Sequence, residues 1–134
     1  MSNKGQSLVE LAISFVIIMF LLSGAVEFGI VFFQYIQLQD AAQEGALYGS
    51  ICQNPTAIEN RVKGASNSPI RLETDAAVEI KIDEPEGDDV AIRVAVEYPH
   101  KIFMPFVPRI IGSDSIRLRG VVVDTILVRT KECQ

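Results

Sequence analysis

The sequence predicts an α+β fold: a long N-terminal helix that starts as a transmembrane segment, a short second helix and a small antiparallel sheet of about three strands. Three observations predict it. Residues 11–33 are apolar with one charge, Glu27, and a helix needs about 20 residues to cross the hydrocarbon core. The first proline is Pro55, so nothing breaks a helix before it. Apolar and polar residues then alternate over 78–82 and 90–98, which is typical of strands with one buried face.

The composition limits the class of protein. The chain has 134 residues, room for about one domain, and a formal net charge of −5. A nucleic-acid-binding protein concentrates Lys and Arg in a patch, whereas the 12 basic residues here are scattered among 17 acidic ones. We therefore expect no nucleic-acid partner.

The apolar run predicts a membrane anchor with a defined orientation. It is longer than the ~7–15 apolar residues of a secretory signal, and the chain after it keeps a helical pattern instead of a cleavage site. Lys4 precedes the run, and the next basic residue after it is Arg61. The positive-inside rule then leaves the N-terminus in the cytoplasm and the C-terminal part outside it.

Beyond residue 33 the helix carries a stripe of small residues on one face. The stripe includes Ala42, Gly45, Ala46 and Gly49, which recur at spacings of three and four. Glycines in a helix let another backbone approach closely, so we expect this face to pack against another element. The alternative is a fraying helix end, since Gly49 and later Pro55 are stop signals.

A second helix and a hairpin follow. Thr56 with Glu59 three residues later forms a capping-box pattern and predicts a helix from Thr56 to residue 65. The two alternating segments are joined by the acidic stretch "EPEGDD", residues 84–89. This stretch lacks the ligand order of a calcium-binding loop, so we interpret it as a solvated turn between two strands.

The third strand is predicted over 116–127, where the alternation changes phase at Gly120. A bulge at Gly120 explains the change, and burial of residues 121–123 on both faces is the alternative. The segment before it, "YPHKIFMPFVPRIIG", is strongly apolar for a connection. It either folds under the sheet as part of the core or contacts a membrane or a partner.

Cys52 and Cys133 are the two cysteines of the chain. One follows the long helix and the other is the penultimate residue, and a bond between them suits an oxidising compartment. Closing so long a loop contributes roughly 4–5 kcal/mol on the chain-entropy account, a useful amount for a small domain. Two unpaired thiols are the alternative.

The sequence carries no pattern of catalysis. His100 is the one histidine, placed beside Lys101 at the start of the proline-rich connection, and we interpret it as structural or solvated. Phosphate-binding glycine loops, nucleophile elbows and metal-ligand spacings are not found. We expect a non-enzyme with no cofactor, no metal and no small-molecule substrate.

The N-terminal stretch "KGQSLVEL" resembles the processing site of type IV pilin-like proteins, a short basic leader that ends in Gly with a Glu at the fifth position after it. In that class a membrane prepilin peptidase cuts on the cytoplasmic side, which here implies a cut between Gly5 and Gln6. "GQSLVELAI", "SGAVEFGIVFFQYIQLQDAAQEGALYG" and "VEYPHKIFMPFVP…SIRLRGVVV" resemble the TadE-like minor pseudopilins of the tight-adherence (Flp) pilus system. Leu11 stands where many such sites carry Tyr, which favours a minor subunit over the major pilin.

The resemblance implies a pilin-like organisation. Residues 1–5 become a leader, residues 6–50 the long helix with its transmembrane part at about 11–33, and residues 51–134 an extracytoplasmic domain. The protein is then a structural component for pilus assembly, held in the inner membrane. Its implied partners are the prepilin peptidase, other pilin-like subunits such as TadF-like pseudopilins, and the inner-membrane assembly platform.

Two acidic residues receive roles from this resemblance together with membrane electrostatics. A carboxylate at the membrane is costly unless it is paired. After cleavage, Glu10 can pair with the new amino terminus on Gln6 of a neighbouring subunit, although an interfacial Glu interacting with the helix dipole is the alternative. For Glu27 our hypothesis is a contact with another pilin-like subunit or the assembly platform.

A second class of protein remains open on sequence alone. The chain could be an unprocessed, single-pass anchored binding module outside any filament. The spacing of Gly5 and Glu10 discriminates, because an ordinary anchor does not need it.

Overall fold

A computed structural model describes residues 4–66, 70–83, 90–104 and 106–127, and it confirms the predicted α+β fold. The elements in chain order are helices α1 to α4 and strands β1 to β3. Their bounds are α1 Lys4–Ile51, α2 Pro55–Gly64, α3 Leu72–Asp75, β1 Ala77–Asp83, β2 Ala91–Lys101, α4 Val107–Ile111 and β3 Ser115–Thr125.

Helix α1 has two parts with different surroundings. In the first part, residues 4–26 and here called the apolar half, every side chain described from 5 to 23 is exposed. The most apolar stretch of the helix has no buried residue. By length and composition the helix can cross a membrane. In the second part, residues 27–51 and here called the packed half, one face is covered by the sheet and by α2.

The second helix has a different cap from the predicted one. Asn54, and not Thr56, is the N-cap: its side-chain oxygen accepts from the backbone N–H of Thr56 at 3.1 Å and of Ala57 at 3.4 Å. Pro55 then occupies the first helical position, where a missing N–H costs nothing. Glu59 pairs instead with Lys63 at 2.7 Å. The capping-box prediction was therefore wrong by two residues.

The three strands form one antiparallel sheet in the order β1-β2-β3. Ala77 lies opposite Glu97 in the first pair of strands, and Ala91 lies opposite Thr125 in the second. The predicted hairpin is thus present. Its acidic turn, residues 84–89, lies outside the described residues, as does the interpretation given to it.

Strand β3 contains no bulge, because its register with β2 runs unbroken from Ser115 to Thr125. Gly120 lies on the core face, opposite Val96. A Cβ on Gly120 would lie 2.9 Å from the backbone carbonyl carbon and oxygen of Leu38. Val121 and Val123 are exposed, so burial on both faces is wrong as well. The change of phase in the sequence marks the place where a helix backbone excludes a side chain.

The core lies between the packed half of α1, helix α2 and the inner face of the sheet. Gly45 and Gly49 lie at its centre: a Cβ on Gly45 would collide with Val62, and one on Gly49 with Ile92. The residues of the core cluster are Leu38, Ala41, Ala42, Ala46, Ile58, Val62, Ile70, Leu72, Ile92, Val94 and Val96. The stripe of small residues therefore packs within the chain.

The connection between β2 and β3 is shorter than predicted. Strand β2 continues through Pro99 to Lys101, and α4 follows until Gly112 ends it at a φ of 75°. Pro99 interrupts no pairing with β1, because β1 begins opposite Glu97 and leaves that edge of β2 open beyond it. His100 is therefore a strand residue on the core face, and its placement in a loop was wrong.

Candidate functional site

Glu27 marks the boundary between the two halves of α1 and points towards the end of β2. Its Oε1 accepts from Nε2 of His100 at 2.8 Å. The His100 side chain is 1% exposed and that of Glu27 is 15% exposed, so the pair is largely shielded from the surroundings. A hydrogen bond with an ionised partner in such a place is stronger than one between neutral groups at the surface.

The other ring nitrogen of His100 also has a partner. Nδ1 lies 2.7 Å from Oε1 of Gln34, two helical turns after Glu27 on the same face of α1. Both ring nitrogens thus face oxygen atoms. Either the imidazolium donates two hydrogen bonds, or the Gln34 amide is turned so that its NH₂ donates to a neutral ring. In both states the ring has no free nitrogen.

The backbone of the segment after β2 completes the arrangement. The N–H of Phe103 donates to both carboxylate oxygens of Glu27 at 3.2 Å. Glu27, Gln34, His100 and the Phe103 N–H are here called the junction cluster. It connects the long helix to the strand that leaves the sheet, and it satisfies a carboxylate next to an otherwise apolar surface.

The junction cluster has the chemistry of a structural clamp. No serine, threonine or cysteine side chain forms a hydrogen bond with His100 in the described part of the chain. Among those same residues, no group of three metal-ligating side chains is placed to hold a metal ion. What the arrangement can do is fix the direction in which the domain leaves the long helix.

Sequence reasoning named Glu27 but missed His100 and Gln34 as its neighbours. Two signals could have found them. Glu27 and Gln34 are seven residues apart, which places them on one face of a helix. Continuing the alternation of β2 by two residues past Tyr98 places His100 on the buried face. The hypothesis that Glu27 contacts another subunit stays a prediction, but the structure supplies a partner inside the chain.

The N-terminal motif lies at the other end of the apolar half. Gly5, Gln6 and Glu10 are exposed on α1, and a Cβ on Gly5 would meet nothing within 4 Å. No hydrogen bond or ion pair joins Glu10 to another of the described residues. Glu10 lies about 25 Å from Glu27 along the helix at ~1.5 Å per residue, so the two carboxylates form separate sites.

Cys52 follows α1 directly and is 4% exposed. It takes part in a disulfide bond. Cys133 lies outside the described residues, so the pairing of Cys52 with Cys133 stays a prediction. A bond at this position would anchor the chain beside the end of β3, where Leu127 N–H already donates to Ser50 O at 2.8 Å.

These features define a class of protein: a chain whose single long helix fits a single-pass membrane anchor and whose small α+β domain is built on the end of that helix. The family model described as TadE-like protein matches residues 5–47. The match starts at Gly5 and covers the apolar half together with most of the packed half. It confirms the predicted resemblance over this stretch, and the chain is consistent with a TadE-like protein of the Tad (Flp) pilus system, a structural and pilus-associated family.

Comparison with curated proteins and with solved structures found no match to the chain.

Proposed function

We propose that this chain is a minor pseudopilin, a structural component in the assembly of a Tad (Flp) pilus, and that prepilin peptidase processes it after Gly5. The observation that carries the proposal is the Gly5–Glu10 spacing at the start of an exposed apolar helix, at the point where the TadE-like match begins. A peptidase needs an accessible substrate, and Gly5 and Gln6 are both exposed.

The proposed arrangement follows from the charges that flank the apolar half. Residues 1–5 are the leader, and the mature helix starts at Gln6 with its N-terminus on the cytoplasmic side of the inner membrane. Residues 51–134 lie outside the cytoplasm, and helix α2 and strands β2 and β3 among them pack on the packed half of α1. An oxidising compartment there is compatible with the disulfide at Cys52.

Glu10 is proposed to direct assembly. Cleavage creates a positively charged amino group on Gln6, and a carboxylate at the membrane edge is stabilised by such a partner. Glu10 is exposed on a helix whose neighbouring side chains are all exposed, so a neighbouring subunit can reach it. Glu27 contributes to assembly indirectly in this proposal, because its pair with His100 sets how the domain is presented to other pilin-like subunits and to the assembly platform.

Intact mass tests the processing step. The full chain is purified from cells with and without the prepilin peptidase, together with two variants, Gly5→Val and Gly24→Val. Gly24 is a matched control, since it lies in the same helix and a Cβ there also meets nothing within 4 Å. The proposal expects loss of residues 1–5 from the wild type and from Gly24→Val, but not from Gly5→Val and not without the peptidase.

A chain that begins at Met1 in every sample would remove the pseudopilin proposal and favour the unprocessed anchored module.

The role of Glu10 has its own test. Glu10→Gln should be processed and inserted normally but fail to co-purify with the other pilin-like subunits. Glu27→Gln serves as the comparison, because it keeps a hydrogen-bonding side chain at the junction cluster and should co-purify better than Glu10→Gln. If the wild type, Glu10→Gln and Glu27→Gln co-purify equally with the other pilin-like subunits, the assembly role of Glu10 is contradicted.

A further inference from the structure

The segment between β2 and β3 exposes large apolar side chains. We call residues 102–111 the apolar loop; it includes α4. Phe103 is 73% exposed, Ile111 is 54% exposed and Phe106 is 50% exposed. So many exposed large apolar side chains in so short a connection are unusual for a domain surface. Exposed apolar side chains also continue along α1 past Glu27, at Phe28 and Phe32 among others. Phe103, Phe106 and Ile111 are not part of the hydrophobic core cluster.

The position of the apolar loop along α1 is fixed by two contacts. The ring of Phe106 packs on that of Phe20, with centroids 5.2 Å apart. The Phe103 N–H donates to Glu27, as described above. The loop therefore reaches past the boundary at Glu27 and lies alongside the apolar half. A shallow apolar groove runs between the two, lined by Met19, Phe20, Ser23, Met104 and Phe106.

The depth of the loop follows from the helix. If the carboxylate of Glu27 lies at the outer edge of the hydrocarbon, Phe20 lies about 10 Å below that edge at ~1.5 Å per residue. Phe106 is level with Phe20. Apolar elements that lie in a membrane interface are buried by about 5–10 Å. The apolar loop thus reaches the depth expected of an interfacial insertion.

The occupant that suits this surface is lipid. The exposed side chains of the loop are continuous with the apolar half, whose side chains from 5 to 23 are exposed on every face. Two exposed basic residues accompany the loop, Lys101 directly before it and Arg109 within it on α4, although the whole chain has a net charge of −5. Basic side chains close to a membrane surface are attracted to anionic headgroups.

We propose that the apolar loop is a second membrane contact of this protein: it inserts into the outer leaflet beside α1, and acyl chains cover Phe103, Phe106 and the groove along Phe20. The contact holds the domain against the membrane surface instead of leaving it free above the helix. This inference rests on the membrane anchor of the proposed function, because its depth scale is taken from α1.

The absence of tryptophan from the chain allows a direct test. Three full-length variants each carry one reporter: Phe103→Trp in the apolar loop, Phe15→Trp in the apolar half and Val123→Trp on the outer face of the sheet. Val123 is 53% exposed, and its partner Arg93 lies at the far end of β2 from His100. Each is reconstituted into phosphatidylcholine–phosphatidylglycerol vesicles with ordinary or with brominated acyl chains, and tryptophan fluorescence is recorded.

The expected result is strong quenching of Phe15→Trp and Phe103→Trp by brominated lipid and none of Val123→Trp. Bromine near the headgroup end should quench Phe103→Trp more than bromine near the methyl end. Phe106→Trp is a second reporter in case one substitution disturbs the fold, which circular dichroism reports.

Two outcomes would overturn the inference. If Phe15→Trp is quenched while the loop reporters are not, the anchor stands but the loop does not enter the membrane. Blue-shifted loop emission without quenching would show that protein, such as a second copy of the chain, covers the loop instead. If Phe15→Trp is not quenched either, the anchor itself fails, and the proposed function fails with it.

Discussion

The two halves of α1 differ in surroundings far more than in local structure. Both are continuous helix, and both contain glycines. A Cβ on Gly24, in the apolar half, would meet nothing within 4 Å, whereas one on Gly45 or Gly49, in the packed half, would collide with the core. The first half exposes its apolar residues on every face, whereas the second buries one apolar face, with Leu38 and Ala42 at 0% exposure, and leaves others such as Phe28 exposed.

One continuous helix is therefore adapted to two different surroundings. In the first half, for which we propose lipid as the surroundings, large side chains cover all faces and a Cβ on Gly24 would meet nothing within 4 Å. Where a sheet is the surroundings, one face must be small so that strands and a second helix can approach. The junction cluster lies where the two requirements meet, and it contains the polar groups that the boundary needs.

The largest loss of stability is expected from removing the hydrogen bond between His100 and Glu27 at the boundary of the two halves. His100→Ala leaves the carboxylate of Glu27 without its side-chain partner and should destabilise the domain by about 3 kcal/mol. Urea unfolding of the full chain in detergent, followed by circular dichroism, measures the loss. The double variant Glu27→Gln/His100→Ala should cost less than the sum of the two single variants, because the unpaired charge is gone. Strictly additive losses would contradict a direct pair.

The second effect concerns a glycine in close contact with another backbone, compared with a glycine that has no neighbour within 4 Å of a Cβ. In Gly120→Ala the new methyl group meets the Leu38 backbone, which cannot move as a flexible side chain does. We expect a loss of about 1–3 kcal/mol, the usual cost of overpacking. Gly24→Ala is the control and should leave the unfolding of the domain unchanged. Equal midpoints for the two variants would show that the close approach at Gly120 is unimportant.

A smaller effect is expected where the packed half ends. Asn54→Ala removes the side-chain acceptor at the start of α2, and losing such a cap costs about 1 kcal/mol. Asn60→Ala is a matched control, since Asn60 is an exposed residue inside the same helix and alanine is a better helix former there. The thermal midpoint should fall only in Asn54→Ala. A similar fall in Asn60→Ala would argue against the cap.

The smallest effect lies far from α1, on the outer face of the sheet. The hydrogen bond and charge of Lys81, with help from Arg119, hold the pKa of Glu79 below its ordinary value of 4.5. A lowered pKa means that ionised Glu79 stabilises the folded state above that value, and that this stabilisation is lost as the pH falls through the folded-state pKa.

Glu79→Gln should therefore be slightly less stable than the wild type at neutral pH and equal to it in acid. Unfolding midpoints measured between neutral pH and pH about 3 test this difference, which should be small because the side chains are exposed. A gap that stays constant across the pH range would show that the ionisation of Glu79 contributes nothing.

The sequence predicted the elements whose patterns are local. The continuous α1, the hairpin and the fold class follow from hydrophobic period and from the position of Pro55, and these need no knowledge of distant contacts. The boundary of α2 moved only because Asn54 competes with Thr56 for the same role. Helices α3 and α4 were missed, since four and five residues are too few to establish a period.

The candidate site was harder to predict because its contacts join distant parts of the chain. Nothing local to His100 indicates that Glu27 and Gln34 lie against it, and Pro99 suggested that the strand had already ended. Gly120 misled for the same reason: its cause is the Leu38 backbone on the first helix. The roles predicted for Gly5 and Glu10 depend on a short linear spacing that can be read directly from the sequence, and they stay predictions.

The approach of Gly120 to Leu38 also has a consequence for the order of events during synthesis. Helix α1 and strand β3 supply the two sides of one contact, so the core cannot close until β3 has been made and, in the proposed orientation, moved across the membrane. Until then the packed half carries its apolar stripe uncovered. A chain truncated before Ser115 should accordingly remain sensitive to protease added from outside, whereas the chain that ends after β3 should become resistant; equal sensitivity of both would show that closure does not depend on the last strand.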